Sequence, residues 1–552
     1  MVMKCDVVVV GAGLAGLVAA AELADRGKRV TILDQEPEAF LGGQAFWSLG
    51  GLMMVDTPEQ RRMGIKDSRD LALQDWMGSA QFDRSEDHWP RKWAEADVDF
   101  AAGDMRGWLH RQGMRWFPIV GWAERGGGFG SGHGNSVPRF HLTWGVGSGV
   151  QEPFVARIRE HVSRGQVTLK FRHCCRSVTM KNGEASGVSG DILAQDSARR
   201  GAPTNRDIIG GFEILSSSVL VTSGGIGGNF DLVRKSWPTQ RLGPPPKEMV
   251  CGVPAHVDGK MMQTARDAGG QIINSDRMWH YCEGVKNWDP IWPNHGIRIL
   301  PGPSSLWFDA NGNRLAPPAL PGFDSLSTLK AILATGHDYS WFITTQKIVK
   351  KEFALSGSEQ NPDFESKSWA QVLRQRILNK KATPAVEAFK DHGENFVVAQ
   401  TLAELVAKMN QLQGDTMLDA AKIEAEIQAR DSQIDNPFTK DAQIMAIHAA
   451  RRYRGDRIQR TAKPHRILEP KNGPLIAVKL NIITRKSLGG LETDLNSQML
   501  GADGVPIPGL FAAGEVAGFG GGGYHGYNAL EGTFLGGCLF SGRQAGRAET
   551  IG

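Results

Sequence analysis

The sequence predicts a mixed α/β protein with a second, inserted domain of helices and strands. Three observations predict this class. A strand, a helix and a second strand follow one another within the first 34 residues; the chain changes to a tryptophan- and proline-rich character after about residue 271; and a short apolar strand near residue 510 resumes the opening pattern. At 552 residues the chain is also longer than one compact core allows, so we expect two or three domains.

The first elements form a βαβ unit. Residues 6–10 are a β-branched run suited to a strand buried on both faces. Residues 14–25 are rich in Ala and Leu at helical spacing, and Gly27 ends that helix. Residues 29–33 form the second strand, which Asp34 closes.

The later elements follow from local composition. Residues 70–116 are interpreted as helices with tryptophans as core anchors, a run of glycines predicts a loop, and further apolar runs predict strands. In chain order we expect helices within 70–116, a glycine-rich loop at 121–134, strands within 166–211, a strand at 218–222, helices within 369–430, a strand at 508–513 and a terminal helix at 529–547.

A dinucleotide-binding motif lies between the first strand and the first helix. Gly11 permits a tight turn, Gly13 lets a pyrophosphate approach the backbone, and Gly16 allows the helix to pack closely on the strand. The helix N-terminus offers free N–H groups to phosphates, and Asp34 stands where an acid accepts hydrogen bonds from a ribose. The alternative is a glycine-rich turn in an ordinary α/β domain.

The C-terminal segment favours FAD over NAD. Residues 509–515 form a strand that ends in small residues and Glu515, and the glycine run 520–523 follows. In FAD proteins a late strand returns to the flavin and brings an acid to its ribityl chain, whereas an NAD-dependent dehydrogenase has no need of this return. An ordinary strand and turn is the alternative.

Composition excludes several other classes. The net charge is +4 with basic and acidic residues interspersed, so there is no nucleic-acid footprint. The six cysteines show no metal-ligand spacing, which predicts no metal site and favours a reduced, cytoplasmic location. No stretch is long and apolar enough for a membrane span, and the opening apolar run is interpreted as strand and helix rather than a signal peptide.

Six segments resemble the flavoprotein superfamily of fumarate reductase, succinate dehydrogenase and 3-ketosteroid dehydrogenase. They occur in the family's order and span nearly the whole chain: VVVVGAGLAGLVAAAEL from Val7, GGQAFWSLGG from Gly42, GIKDS from Gly64, LVTSGGIGGN from Leu220, SLWFDANGNRL from Ser305, and GGLETD through PGLFAAGEV from Gly489. Together they are highly specific for the superfamily.

This resemblance implies a Rossmann-like FAD-binding domain built from both chain ends, 1–275 and 485–552, with a capping domain at 276–484 and the substrate between them. It implies a non-covalent FAD, because the family's flavin-linking histidine is not apparent after Gly43. The helix start at 533–535 would point N–H groups at the flavin C2 carbonyl. The implied FAD contacts are Gly11, Gly13, Ala15, Gly16, Asp34, Gln35, Gly42, Gly43, Gln44, Gly50, Gly51, Gly224, Gly514, Glu515, Thr533, Phe534 and Leu535.

The loop from Gly522 to Arg543 bears on the substrate. It resembles the fumarate reductase segment GGxHGxNRLGGNAL, with His525 on the substrate histidine, but Ala529 replaces the arginine that clamps a carboxylate. The family's proton-donor arginine and second histidine are also missing, so a dicarboxylate substrate is disfavoured. The ketosteroid dehydrogenase branch fits better, although its loop tyrosine aligns with Asn528.

The predicted function is FAD-dependent oxidation of a CH–CH bond beside a ketone, with a small apolar, steroid-like substrate and an electron acceptor that the sequence does not identify. The predicted catalytic residues are Tyr527 as base or proton relay, His525 and Tyr524 as orienting groups, and Gly532 as the carbonyl-binding glycine. One alternative is an ene-reductase that acts on a non-dicarboxylate alkene. Another is a non-catalytic FAD-binding redox or partner module.

Overall fold

The computed structural model describes residues 3–127 and 134–552, so residues 128–133 of the expected glycine-rich loop lie outside the described part. The strands are β1 (Met3–Val10), β2 (Val30–Asp34), β3 (Gly51–Met53), β4 (Phe140–Leu142), β5 (Val167–Phe171), β6 (His173–Lys181), β7 (Glu184–Leu193), β8 (Ile208–Val221), β9 (Val250–Cys251), β10 (Ile272–Ile273), β11 (Met278–Lys286), β12 (Gly296–Leu300), β13 (Leu306–Asp309), β14 (Tyr339–Thr345), β15 (Ala354–Leu355), β16 (Phe396–Ala399), β17 (Leu475–Ser487), β18 (Gly490–Leu491), β19 (Gln498–Leu500) and β20 (Pro506–Ala512).

The helices alternate with these strands. They are α1 (Leu14–Asp25), α2 (Pro58–Arg62), α3 (Arg69–Ala80), α4 (His88–Ala102), α5 (Met105–Arg111), α6 (Val146–Ser163), α7 (Phe230–Lys235), α8 (Thr239–Leu242), α9 (Lys260–Asp267), α10 (Ser325–Leu333), α11 (Gln346–Glu352), α12 (Pro362–Glu365), α13 (Trp369–Val372), α14 (Pro384–His392), α15 (Leu402–Gln413), α16 (Ala420–Asp431), α17 (Ala442–Arg452), α18 (Arg454–Gln459) and α19 (Thr533–Arg547). A π-helix, Leu373–Leu378, continues α13.

The first sheet joins the two ends of the chain. Across the described residues it has eight strands in the order β19-β20-β8-β1-β2-β5, with β7 beside β8 and β6 beside β7. β1 pairs in parallel with β2 and β8, and β20 pairs in parallel with β8. The valines of β1 are buried, as expected for a strand covered on both faces. The predicted α/β fold class is confirmed, and α1 has the bounds expected from the sequence.

Glycines allow α1 to pack against its neighbours at backbone distance. A Cβ on Gly16 would lie 2.2 Å from the Gly11 carbonyl oxygen, and a Cβ on Gly542 of α19 would lie 2.5 Å from the Ala15 carbonyl oxygen. No larger residue fits such contacts without a backbone shift. The first and last helices of the chain therefore pack on each other through their glycine faces.

The second sheet is antiparallel in most of its pairings. Within the described residues its eight strands follow the order β13-β14-β17-β11-β12-β15, with β16 and β9 beside β17. It draws on residues 250–487, so its β9 lies before residue 275 in the chain. The domain boundaries 1–275, 276–484 and 485–552 stay a prediction. In the described ranges, no helix has both the length and the apolar character to cross a bilayer.

Candidate functional site

A long cavity connects the two sheets. It begins at the carboxyl ends of β1 and β2, where Val10 and Leu33 line it, and reaches Tyr281 of β11 and Arg298 of β12. In parallel α/β sheets, ligands bind at the carboxyl ends of the strands, so this position is the expected one. The cavity has three chemically different regions.

The first region is the glycine-rich turn before α1. Gly11 has a φ of +115°, and a Cβ there would lie 2.6 Å from the Thr222 carbonyl oxygen, so only glycine fits. A Cβ on Gly13, in contrast, would meet nothing within 4 Å, because this residue faces the cavity. Gly13 is the N-cap of α1, and no described side chain caps the free N–H groups that follow it. These groups can bind a phosphate.

Asp34 closes the same region at the end of β2. Its two carboxylate oxygens accept hydrogen bonds from the backbone N–H groups of Ala12 and Glu36, each at 2.8 Å. Burial raises the pKa of Asp34, whereas these two hydrogen bonds lower it. The carboxylate therefore holds the glycine turn in place and still lines the cavity where a ribose would lie.

The middle region contains a buried ionic group around Glu515. The Glu515 carboxylate accepts hydrogen bonds from Gln44 Nε2 at 2.8 Å and Lys486 Nζ at 3.0 Å, and from the Ser487 backbone N–H at 3.1 Å. Lys486 also donates to Gln44 Oε1 at 2.5 Å. All of these side chains except Ser487 line the cavity. They present both donors and acceptors, which suits a polyhydroxylated chain.

The third region begins at α19. Its N-cap is Gly532, with a φ of +93°, and no described side chain caps the helix. Phe534 and Leu535 line the cavity beside it. The N-terminal partial charge of α19 therefore points into the cavity, as that of α1 does at the other end. Two uncapped helix starts, an intervening polar cluster and the open space at Gly13 fit an extended FAD molecule.

Opposite α19 lies a buried cluster around Arg298. The Tyr281 hydroxyl donates to Glu531 Oε1 at 2.9 Å, and Arg298 Nη1 donates to the same oxygen at 2.9 Å. The Arg298 guanidinium lies 3.5 Å from the centre of the Tyr281 ring. Arg298 also pairs with Glu124 and, at 3.4 Å, with Glu283.

This cluster has one cation for three carboxyl groups, and all of them are buried. The pKa of Glu124 is raised to about 8, mainly by burial and also by the neighbouring carboxyl groups, whereas Arg298 opposes the rise. Burial also raises the pKa of the Tyr281 phenol well above its ordinary value. The raised pKa keeps Tyr281 a neutral phenol at neutral pH.

Most of the predicted cofactor contacts come together in the cavity. Gly16, Gly42 and Thr533 do not line it. Gly16 packs on Gly11, Gly42 is covered by Gln151, and the Thr533 hydroxyl donates to the Leu530 carbonyl. The predicted residues that line the cavity are Gly11, Gly13, Ala15, Asp34, Gln35, Gly43, Gln44, Gly50, Gly51, Gly224, Gly514, Glu515, Gly532, Phe534 and Leu535.

Three of the four predicted catalytic residues, Tyr524, His525 and Tyr527, do not line the cavity, and their catalytic roles stay predictions. The Tyr524 hydroxyl donates to the Thr533 carbonyl at 2.8 Å, and His525 Nε2 contacts Thr533 Oγ1 at 2.8 Å. Both side chains are fully buried against Trp76. Burial lowers the pKa of His525 well below its ordinary value, so this imidazole carries no positive charge at neutral pH.

The Tyr527 side chain does not line the cavity either, and its contacts differ from those of Tyr524 and His525. Its hydroxyl donates to Asp83 Oδ1 at 3.0 Å, and its ring lies 4.1 Å and 4.2 Å from the guanidinium groups of Arg241 and Arg277. The loop folds back beneath α19, which turns all three side chains from the cavity. Of the four predicted catalytic positions, the structure brings only Gly532 to the cavity wall.

Sequence reasoning missed Tyr281, Arg298 and Glu531. One signal was available for Tyr281. The segment MWHYCEGVK carries His280, Tyr281 and Glu283 within an apolar run, and the strand that it forms is buried from Met278 to Val285. Polar side chains on a strand buried on both faces are expensive unless they serve a buried site.

Comparison with known proteins gives a consistent result. The family model described as an FAD binding domain matches residues 6–535. A KsdD-like steroid dehydrogenase of Mycobacterium tuberculosis is 58% identical over 551 residues, covering 100% of this chain and 96% of the relative. One from Mycolicibacterium smegmatis is 60% identical over 531 residues, covering 96% of each chain.

The fold is also similar to that of a solved structure. The 3-ketosteroid Δ1-dehydrogenase from Sterolibacterium denitrificans, in complex with 1,4-androstadiene-3,17-dione, superimposes with a TM-score of 0.64. The alignment covers 98% of each chain at 16% sequence identity, which shows a shared architecture.

Proposed function

Since the chain belongs to the FAD binding domain family, we propose that it is an FAD-dependent dehydrogenase that introduces a double bond beside the ketone of a steroid-like substrate. The observation that carries this proposal is the identity of 58% with a KsdD-like steroid dehydrogenase over nearly the full length of both chains. The cavity supports it, because its wall beyond α19 combines apolar side chains with a few polar groups.

FAD would be held without a covalent bond along the three regions of the cavity. The turn at Gly13 and the start of α1 would bind the pyrophosphate, and Asp34 the adenosine ribose. Gln44, Lys486 and Glu515 would bind the ribityl chain, and the start of α19 would face the flavin ring. When bound, FAD supplies the acceptor for the hydride that leaves the β carbon of the substrate.

Tyr281 is the group that we propose to move the proton. Tyr281 lines the cavity, and its hydroxyl already donates to Glu531 Oε1. As the Tyr281 oxygen takes the proton α to the ketone, its own proton passes to Glu531. Because the pKa of the phenol is raised, Tyr281 cannot act as a preformed phenolate, and this concerted transfer avoids one. Arg298 positions both groups.

The remaining wall would orient the substrate. The backbone N–H of Gly532 would polarise the ketone oxygen, since it lies at the uncapped start of α19. Trp47, Leu49, Phe140 and Phe519 also line the cavity and offer flat apolar contacts. These contacts would exclude water from the carbon atoms that react.

Anaerobic titration tests this proposal. The FAD-loaded protein is mixed with a panel of 3-ketosteroids, other cyclic ketones and dicarboxylates, and the flavin absorbance is followed. Bleaching by a 3-ketosteroid, with formation of the unsaturated ketone, is the expected result. Bleaching by dicarboxylates alone would contradict the proposal. An enzyme that works only in the reducing direction would instead re-oxidise its reduced flavin with an unsaturated ketone and fail to bleach with the saturated one.

A further inference from the structure

An exposed apolar segment lies on the surface at α13 and the π-helix that follows it. The exposed fractions are 49% for Trp369, 48% for Leu373, 62% for Ile377 and 75% for Leu378. Four large apolar side chains within ten residues are more than the scattered exposure of a typical surface. The active-site proposal gives none of them a role.

The helical geometry puts these side chains on one side. Trp369, Leu373 and Ile377 follow at intervals of four residues, and the wider turn of the π-helix keeps this spacing in register. Val372, by contrast, is buried, and Arg376 is paired with the buried Asp363 at 2.6 Å. The segment is thus anchored by one face and presents an apolar face to solvent.

The anchor is rigid and lies close to the cavity. The Trp369 ring stacks on Trp144 at 4.5 Å and on Phe117 at 5.4 Å. Phe117 and Val372 belong to an apolar cluster that also contacts Leu49, which lines the cavity. One apolar cluster therefore contacts both the exposed segment and the cavity wall.

The charged residues of the segment itself are of one sign. Residues 366–386 contain five basic residues and no Asp or Glu. Lys367 pairs with Glu152 and Arg376 with Asp363. In the described part of the chain, Arg374, Lys380 and Lys381 form no ion pair, and Lys380 and Lys381 are exposed.

We propose that residues 369–381 dock the protein on an anionic lipid surface. Interfacial helices combine an apolar face containing Trp and Leu with basic residues at its border, which is the arrangement here. The exposed apolar side chains would enter the acyl boundary, and Arg374, Lys380 and Lys381 would contact the anionic headgroups. The surface is separate from the cofactor cavity, so this proposal stands or falls independently of the catalytic one.

Vesicle sedimentation tests the docking surface. The FAD-loaded full chain is spun with phosphatidylcholine vesicles that contain about 30% phosphatidylglycerol, and with pure phosphatidylcholine vesicles. We expect binding to the anionic vesicles that falls with added salt. The double variant Ile377→Ser/Leu378→Ser and the charge variant Lys380→Glu/Lys381→Glu should each bind at least about tenfold more weakly.

The chain offers a matched control. Ile208 and Ile209 are 60% and 65% exposed, on a strand far from the segment in sequence, next to Asp207. The variant Ile208→Ser/Ile209→Ser removes a similar exposed apolar area, so it should bind the anionic vesicles as the wild type does. Flavin absorbance and the thermal midpoint of each variant establish that it is folded.

Three outcomes would overturn the proposal: no binding of the wild type, equal binding by the segment variants, or equal loss in the Ile208/Ile209 control. A fourth would be a wild-type dimer in solution that Ile377→Ser/Leu378→Ser converts to monomer, because the face would then be covered by a second copy. Turnover plays no part in the vesicle assay, so its failure is distinguishable from failure of the dehydrogenase proposal.

Discussion

At the scale of single residues, the position of a hydroxyl decides which tyrosine can transfer a proton. Tyr281 lines the cavity and donates to Glu531, whereas Tyr527 donates to Asp83 outside it. We predict that Tyr281→Phe slows anaerobic flavin reduction by the ketone substrate by about 10²- to 10⁴-fold. The substitution removes the oxygen that takes the α-proton and leaves the ring over which Arg298 lies. Stopped-flow absorbance measures the rate.

Tyr527→Phe is the matched control for that experiment. It removes one hydroxyl from a tyrosine whose ring also lies against arginine side chains. We expect flavin reduction within about twofold of the wild type. Equal slowing by both substitutions, or by Tyr527→Phe alone, would return the proton role to the loop before α19 and remove it from β11.

Asp97 gives a residue-scale prediction for stability. It is 4% exposed, its Oδ1 has no hydrogen-bond partner among the described residues, and burial raises its pKa to about 8. The folded state therefore keeps a proton on Asp97 that the unfolded state loses at a pKa near 4. As the pH rises from about 4 to about 8, this difference lowers the free energy of unfolding. We predict that the thermal midpoint of the Asp97→Asn variant falls less between pH 6 and pH 9 than that of the wild type.

The control lies two residues along the same helix. Asp99 is exposed and pairs with Arg69 at 2.7 Å, so Asp99→Asn should keep the pH dependence of the wild type. If Asp97→Asn has the wild-type pH dependence as well, Asp97 is not protonated in the folded protein.

Short sequence patterns predict which positions need a particular backbone conformation. They predict less well which side chains from distant parts of the chain come into contact. Gly11 and Gly13 could be assigned from the sequence because a short-range turn fixes their φ angles and their exposure to the cofactor. Tyr281 could not, because it meets Glu531 across 250 residues, and only the folded sheet brings them together. His525 matches the family's substrate histidine and Tyr524 precedes it, yet the local fold directs both side chains into the core.

At the scale of secondary-structure elements, Gly13 and Gly16 of the first βαβ unit serve different purposes, and substitution by alanine distinguishes these purposes. A Cβ on Gly13 meets nothing within 4 Å, whereas one on Gly16 would lie 2.2 Å from the Gly11 carbonyl oxygen. We predict that Gly13→Ala folds normally but binds FAD at least about tenfold more weakly, because the methyl group occupies the phosphate position. Fluorescence quenching of added FAD measures the affinity.

Gly16→Ala should instead lower the thermal midpoint of the apoprotein, since the helix must move away from β1. If Gly13→Ala is the more destabilised apoprotein of the two, the open space at Gly13 is not where a cofactor binds.

The elements themselves were predicted unevenly. Strong local periodicity fixed α1 at residues 14–25, and the terminal strand at 508–513 was found within two residues of β20. The helix expected at 529–547 begins only at Thr533, because Gly532 takes a left-handed φ that ends the preceding turn. The small strands β9 and β15 gave no signal, since they depend on pairing with distant strands.

At the scale of the whole molecule, the site depends on bringing the two chain ends together. The order of the family segments predicted this arrangement, because the resemblance implied that the N-terminal glycine motif and the C-terminal return strand both contact one cofactor. The sequence did not reveal how closely the ends pack. Gly542 and Gly546 of α19 meet the backbone of α1 at Ala15 and Ala19, and such contacts cannot be deduced from local propensity.

The packing of α19 on α1 leads to a final prediction. Because the N-terminus of α19 lies at the cavity, a change in this packing should affect FAD binding as well as stability. A Cβ on Gly542 would lie 2.5 Å from the Ala15 carbonyl oxygen, whereas one on Gly536 would lie 3.7 Å from a flexible methionine end, Met105 Cε. We predict that Gly542→Ala destabilises the protein by about 1–3 kcal/mol and weakens FAD binding, because α1 and α19 must separate. Gly536→Ala, the same change in the same helix, should be neutral or stabilise by up to about 1 kcal/mol. Urea midpoints and FAD affinities of the two variants measure both effects. If Gly542→Ala and Gly536→Ala have equal midpoints and equal FAD affinities, close packing of α1 on α19 is not required for the cavity.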